Sequence, residues 1–479
     1  MRHALASVCL CLALLAAPAH AFCGFYVSSA GGQLFNDATM VTLMRDGTRT
    51  VLGMQNNYRG PPEDFALVIP VPVILQKENV KTLQKAVFER IDALASPRLV
   101  EMYTENEPCA RSRFGGGMGM PSMAAKGDAM PRDLGVKVEA TFSVGEYDIV
   151  ILSAKDALGL EIWLKENKYK IPDQAAPLLK PYVQNNWKFF VAKVNTKKVK
   201  FDKGPGADGV GRGNGQAVLS PLRFHYDSEK FELPVRLGLV NSSGSQDLIV
   251  HVIAKGRYEV ANRPNITIPT NLDVKTSVRP VFGAFYADLV ERTFKKNPTA
   301  AITEFAWQGA LPPPEVMVDQ GIYGVTCDPC PPPHPMDDPL ARFLGADVLP
   351  GIKTDAQVAK FASEATVTRL HLRYSKDSLT DDLVFKQVEP IHGGVPGVAK
   401  AEPAKTNRFQ GRYVMWIKGS SCNGLGMGMS GIVSSGLAGT SAVMSKKTAL
   451  ATPFDELLVT DIPELEIVAK GKPQVPPVK

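Results

Sequence analysis

Between residues 218 and 269 the chain carries the pattern that most restricts its fold. Phe231, Leu233, Val235, Leu237 and Leu239 are apolar at every second position. That period turns one side of an extended chain into a core and leaves the other to solvent. Residues 241–247 are polar and contain a glycine, which reads as a turn, and residues 248–254 read as a second strand. Two adjoining strands of this kind predict the middle of an antiparallel sheet. They specify a scaffold and carry no chemistry of their own.

The flanking segments extend the same reading. Asp46-Gly47 between the strand-like runs 39–45 and 48–54 predicts a hairpin with a type I′ turn, because glycine accepts positive φ without strain. Residues 65–75 are apolar, but Pro70 and Pro72 remove two backbone donors, so an edge strand or extended connector is expected there. Val80, Leu83, Val87, Ile91 and Leu94 fall on one helical face, with Asn79 as N-cap and Pro97 as the stop. A strand at 147–152, helices at 156–167 and 173–184 and a strand at 187–194 follow. Val278, Val281, Phe282, Phe285 and Leu289 predict an amphipathic helix that ends near Lys296, before a strand at 301–307. Leu370, Leu372 and Tyr374 alternate with Arg369, His371 and Arg373, the pattern of a half-exposed strand, and residues 413–417 predict another. The class is α+β and β-rich: antiparallel sheets with a few packed amphipathic helices, in two associated domains. These are an N-terminal α+β domain at 22–200 and a C-terminal β-rich domain at 217–470. A Gly-rich loop or linker at 201–216 joins them, and 471–479 is a tail.

Residues 1–21 have the form of an export signal. Arg2 is positive, the apolar run from Leu5 to Ala17 is too short to span a bilayer comfortably, and Ala19-His20-Ala21 fits a small-x-small cleavage site. Cleavage after Ala21 leaves Phe22-Cys23-Gly24 at the mature start. Lipidation of Cys23 normally needs a small residue before it, and Phe22 is large. No later run has the character of a membrane helix, so the expected location is periplasmic or secreted. The helices that interrupt the strands argue against an outer-membrane barrel. The formal charge of +6 is scattered, with no basic stripe interleaved with aromatics, so nucleic acid is not an expected partner. The expected partner lies in the envelope or outside the cell, with its identity open. Cys9 and Cys11 leave with the signal. Cys23, Cys109, Cys327, Cys330 and Cys422 remain as disulfide or redox candidates, with one thiol left over and the pairing open.

Among motifs, Gly204, Gly206 and Gly209 spell GxGxxG but lack the preceding strand and following helix that phosphate binding needs. Cys327-Asp328-Pro329-Cys330 is sharper. A CxxC pair can be a redox dithiol, half of a zinc site, which His334 and Cys422 could complete, or a structural disulfide. Pro331, Pro332, Pro333 and Pro335 cannot open the helix that would activate a thiolate, and the oxidising compartment favours a structural role. Met118, Met120, Met123, Met427 and Met429 form two Gly/Met patches, read as adaptable surface loops ahead of soft-metal sites. Neither GxSxG nor HExxH occurs. His225, His251, His334, His371 and His392, and acids such as Asp46, Asp64, Asp288 and Glu291, cannot be argued into one site from spacing. No catalytic, cofactor or metal residue is assigned. The expected function is an exported cell-envelope binding or structural protein. The alternatives are an extracytoplasmic thiol-disulfide redox protein using Cys327 and Cys330, and a hydrolase with an unrecognised site.

Several blocks together resemble a known family. They are Cys23-Gly24-Phe25-Tyr26-Val27, Asn56-Asn57-Tyr58 with Gly60-Pro61-Pro62-Glu63-Asp64-Phe65, and Ile69-Pro70-Val71-Pro72. Further on stand Leu237-Gly238-Leu239-Val240-Asn241-Ser242, Pro264-Asn265-Ile266-Thr267-Ile268-Pro269-Thr270-Asn271, Cys327-Asp328-Pro329-Cys330 and Thr368-Arg369-Leu370-His371. In this combination the chain resembles the exported bacterial domain-of-unknown-function family numbered 2330, over most of its mature length. The resemblance implies a compartment and a single-family architecture and transfers no catalytic residue. Mass spectrometry of protein recovered outside the cytoplasm should find Phe22 at the N-terminus. An acylated Cys23 in first place would make the protein a lipoprotein instead.

Overall fold

The computed structural model describes residues 25–27, 35–36, 39–55, 58–59, 66–103, 135–167, 169, 175–201, 217–241, 245–309, 323–324, 338–417 and 450–472. Its largest sheet is built on β1 (Thr39–Asp46), β2 (Arg49–Gln55), β3 (Leu222–Asp227), β4 (Gln246–Ala254), β5 (Ala301–Gln308), β6 (Thr366–Tyr374) and β7 (Arg408–Gln410). The order is β7-β5-β6-β4-β1-β2-β3, with shorter strands beyond both ends. All of these neighbours run antiparallel except β4 and β1, which are parallel. The segments on either side of residues 201–216 therefore share one sheet: β1 and β2 precede that stretch, and β3 to β7 follow it.

Strand β4 is central, as its apolar content requires, but the residues before it are not the long strand that their alternation predicts. Phe231, Leu233, Val235, Leu237 and Leu239 are all buried. Only Glu232–Leu233 is strand, and Arg236–Asn241 forms a 3-10 helix. Pro234 has no N–H for a ladder, and the chain turns after it while keeping its apolar positions inside. The β1–β2 hairpin forms as expected, with a different turn. Gly47 has φ +59°, and among the described residues the non-glycine residues with positive φ are Asn186, Asn271 and Glu466, so Thr48 is not among them. Positive φ at the first central residue alone is the type II′ pattern. Residues 66–71 form a strand whose first half is interior, between Lys188–Val194 and Phe25–Val27. The Phe25–Val27 pairing stops at Val68, so Pro70 has a strand on one side only, where a missing donor costs little.

The strand Ala66–Val71 belongs to a second, antiparallel sheet with Phe25–Val27, Lys188–Val194, Tyr147–Ala154 and Val136–Val144. The two sheets pack face to face. Val41, Leu52, Val250, Leu370 and Leu372 of the first meet Leu67, Ile69, Ile149, Ile151 and Phe190 of the second in one core. Helices α2 (Ala157–Glu166) and α3 (Ala175–Gln184), which follow α1 (Lys85–Ala95), cover the outer face of the second sheet through Leu160, Trp163, Leu179 and Tyr182. The outer face of the first sheet is covered by α1 and by α4 (Phe282–Lys296), α5 (Pro339–Leu344) and α6 (Asp355–Glu364). Gly53 of β2 permits the close approach of α1 and α5, since a Cβ there would lie 2.4 Å from the Phe343 ring. Helix α1 starts at Lys85, later than the periodicity predicts. Val80–Thr82 is instead a short strand on β3, and Asn79 closes a 3-10 turn.

The face of β6 that alternation marks as half-exposed is sealed at Arg369 and His371 and partly open only at Arg373. Arg369 and His371 are each 1% exposed and Glu304 is 0% exposed. Arg369 donates from Nε to Glu304 Oε2 at 2.6 Å, and its Nη1 donates to Asp92 of α1 and to Ser96. Tyr286 of α4 donates to Glu304 Oε1 at 2.6 Å, and His371 Nδ1 lies 2.9 Å from the same oxygen. Arg373 closes the row on Asp247 and Glu291. Burial alone would raise the Glu304 carboxyl, but Arg369 and His371 bring it down to about 2. Burial alone would lower His371, but Glu304 and Asp247 hold it above its ordinary value. His251 on β4 is pushed down to about 3, chiefly by burial and then by Arg369.

These two histidines give opposite pH dependences. His251 stays neutral in the fold, so below 6.5 the unfolded chain takes up a proton that the folded one refuses, and stability falls with acidification towards pH 3. His371 keeps its proton in the fold, so its contribution is complete below 6.5 and is lost as pH rises through its elevated pKa. Denaturant titrations across pH should therefore show stability falling on both sides of about pH 6.5, by up to ~1.4 kcal/mol per pH unit per proton. In His251→Leu the acid-side slope should shrink by that amount. An unchanged slope would remove His251 as its source.

Candidate functional site

Unlike the sealed charge row, a second polar cluster opens to solvent. It lies in a cleft of about 350 Å³ lined by Pro72, Tyr182, Trp187, Glu232, Arg236 and Asp382, with Asn185, Ser228, Glu229 and Lys230 at its sides. The floor is a knot around Asp382, which directly precedes the strand Leu383–Val388. That strand pairs with Glu232–Leu233, which brings Asp382 beside the turn at 234–236. Asp382 Oδ1 accepts from the Tyr182 hydroxyl at 2.7 Å and from the backbone amides of Val235 and Arg236 at 2.8 and 3.1 Å. Its Oδ2 accepts from both Arg236 Nε and Nη2, at 3.2 and 2.9 Å, charge-assisted bonds that converge on one oxygen. The Arg236 guanidinium also sits 5.1 Å from the centre of the Tyr182 ring. Burial, then Asp382, pushes the Tyr182 hydroxyl well above its ordinary pKa, so it remains a donor.

The aromatic pair in the wall is set by a helix ending. Asn186 takes a left-handed φ of 57° just beyond α3. The Trp187 amide donates to Tyr182 O at 2.9 Å and the Asn186 amide to Val183 O at 3.0 Å. This is the Schellman arrangement, which brings the residue after the left-handed one against the helix's last turn. The rings of Trp187 and Tyr182 accordingly sit 5.5 Å apart. The rim at 228–230 is tied to the β1–β2 turn. Arg45 Nη1 donates to Thr48 O and Nη2 to Glu229 O, both at 3.0 Å, and the Ser228 amide donates to Thr48 O at 3.0 Å.

Against this fixed frame some groups are uncommitted. Glu232 is half-buried and has no hydrogen-bond or ion-pair partner among the described residues. Burial raises its pKa, with Lys230 opposing and Asp382 adding to the rise. Arg236 Nη1 likewise makes no bond to a described residue. Asp382, with its five accepted bonds, has no spare capacity to act as a base or nucleophile. The cleft thus offers aromatic surface, an uncommitted donor and acceptor in Arg236 and Glu232, and rim charges of both signs.

The residues singled out in the sequence do not converge here. Cys23, Cys109, Cys327, Cys330 and Cys422 lie outside the described residues, as do the Gly204–Gly206–Gly209 motif, both Gly/Met patches, Asp64 and His334. His225 meets Asn79 Nδ2 at 3.2 Å on β3, and His392 faces Glu402 on the surface. His251 and His371 belong to the sealed row. Asp288 pairs with Arg292 along α4, and Asp46 with Lys255. No grouping of three or more His, Cys, Asp or Glu suited to a metal occurs among the described residues. Tyr182, Trp187, Glu232, Arg236 and Asp382 were missed by sequence reasoning. The one local signal was Asn186, a residue tolerant of left-handed φ, directly after a helix and before a tryptophan.

Residues 17–386 match the family described as an uncharacterized protein conserved in bacteria, DUF2330, and this span contains every residue that lines the cleft. No curated protein and no solved structure matches the chain. Removing Asp382 should show how far the frame depends on its knot. Asp382→Ala leaves Arg236 and the Tyr182 hydroxyl without their partner. Because the pair is not fully sealed, with side-chain exposures of 19% and 11%, the cost should be about 2–3 kcal/mol, below the ~3–5 kcal/mol of a buried pair. A urea midpoint equal to that of the native protein would mean the knot does not hold the fold.

Proposed function

The chain belongs to the bacterial family DUF2330, and on that premise we propose that it is an exported binding protein of the cell envelope whose ligand occupies this cleft. The observation that carries the reading is the contrast between Asp382 and Glu232. One carboxylate is saturated and holds the frame, while the other is half-buried, unpartnered and directed to the lining of an open cleft. A half-buried carboxyl without a hydrogen bond is costly in the free protein, and a ligand that supplies the bond recovers that cost. Rigid aromatic surface beside a few placed polar groups is the usual make-up of a small-ligand site. Export rests on residues 1–21, with their positive start, short apolar run and Ala19-His20-Ala21.

Oxidative footprinting of tryptophan tests this reading. In the native protein Trp187 should be modified, and an envelope extract from a bacterium that encodes the protein should protect it. Trp163 and Trp307, each buried, serve as internal references. Equal modification of Trp187 with and without extract would count against a ligand in the cleft.

A further inference from the structure

Resting on that reading, we infer that the cleft takes a neutral ligand bearing adjacent hydroxyl groups, a saccharide of one or two rings. Charge comes first. Asp382 and Arg236 neutralise each other, which leaves two carboxylates, Glu229 and Glu232, beside one ammonium, Lys230, with Arg236 Nη1 still uncommitted. An anion that reaches Arg236 meets Glu232 in the same space, and a cation that reaches Glu232 meets Lys230 and Arg236. Like-charge contacts of this kind select against ions of either sign. The place over the Tyr182 ring where a ligand cation could sit is already filled by Arg236.

A hydroxylated ring meets no such conflict. Each hydroxyl both donates and accepts. One can donate to Glu232, which lacks a partner, and its neighbour can accept from Arg236 Nη1, which has an N–H to spare. Ser228 and the Asn185 side-chain carbonyl add a second donor–acceptor set at the edge. Trp187, held against Tyr182 by the left-handed Asn186, supplies the apolar surface on which the C–H face of a sugar packs. The volume of about 350 Å³ suits one or two rings, near the lower end for small-ligand sites.

The probes are neutral hexoses, N-acetylhexosamines and their disaccharides, compared with a hexuronic acid and with spermidine. Binding to the full mature protein is read by titration calorimetry and by NMR shifts of indole N–H groups. At least one neutral saccharide should bind, with an affinity nearly equal at low and high salt, since no ion pair is formed. Trp187→Ala should weaken it by about tenfold or more. Glu232→Leu should weaken it as well, while Glu232→Gln, which keeps an acceptor, should retain most of it. Glu232→Leu decides the matter if Trp187→Ala does not fold. Binding of spermidine or the uronic acid in place of neutral saccharides would overturn the ligand class. So would envelope extract protecting Trp187 while no saccharide binds, and in both cases the cleft would remain a binding site. If neither the extract nor any probe has an effect, the inference and the function on which it rests fall together.

Discussion

Arg369 is the group on which the packing of this molecule turns. Its guanidinium is 1% exposed and is held between Glu304 on the neighbouring strand and Asp92 on α1. Removing such a charge from water costs several kcal/mol, recovered only if its partners are close and themselves satisfied. That condition extends outward: Glu304 also takes Tyr286 from α4 and His371, and Asp92 stands beside Ser96 and His251. One buried cation thereby dictates where α1 and α4 sit on the large sheet and in what register β5 meets β6. An apolar face of the same shape could tolerate a slip of a helix by one turn, whereas this one would strand a carboxylate. We regard the row as a device for a unique packing more than as a source of net stability.

The sequence shows half of this. The alternation of Arg369, His371 and Arg373 with Leu370, Leu372 and Tyr374 announces a strand with a polar face, and the strand is there. It cannot show that the polar face is covered, because the acids arrive from far away. Glu304 is 65 positions from Arg369, and Asp92 is 277 positions away. The local grammar was easier to read. Asp156 caps α2 by accepting from the Gly159 amide, and β4 forms where the apolar run predicts it. Reading failed where one residue overrode a period. Pro234 converts an alternating run into a turn and 3-10 helix, and Val80–Thr82 leaves its helical face because β3 offers it an open edge. The cleft was invisible for the same reason as the charge row, since Asp382 and Arg236 are 146 positions apart.

The row and the cleft use the same side-chain types to opposite ends. In the row every carboxylate faces a cation or donor, its Arg369–Glu304–His371 centre is shut off from solvent, and the charges serve the fold. In the cleft one carboxylate, Asp382, plays that structural part, and beside it Glu232 is left with its acceptor capacity unspent. A half-buried carboxylate without a protein partner has given up part of its hydration for no bond, a cost that packing would ordinarily remove by turning it fully to water or by providing a bond. Its persistence in a concave, aromatic-walled space is a physical reason to place a ligand there.

Affinity for such a ligand depends as much on what is already immobile as on the contacts made. Small polar ligands gain little per atom and lose that gain if side chains must be ordered as they bind. Here the ordering precedes the ligand. Asp382 ties the end of α3, the 234–236 turn and its own strand through one carboxylate, and the left-handed Asn186 sets the indole against Tyr182. Arg45 joins the far rim to the β1–β2 turn, and its guanidinium packs 5.4 Å from the Phe231 ring. The walls are therefore assembled from three distant parts of the chain but fixed by the fold itself. Glu232, Lys230 and Glu229 remain the groups with freedom to adjust. A site of this construction discriminates by the shape of its fixed aromatic and Arg236–Asp382 frame, against which Glu232 can adjust, and only secondarily by charge, since its lining carries both signs.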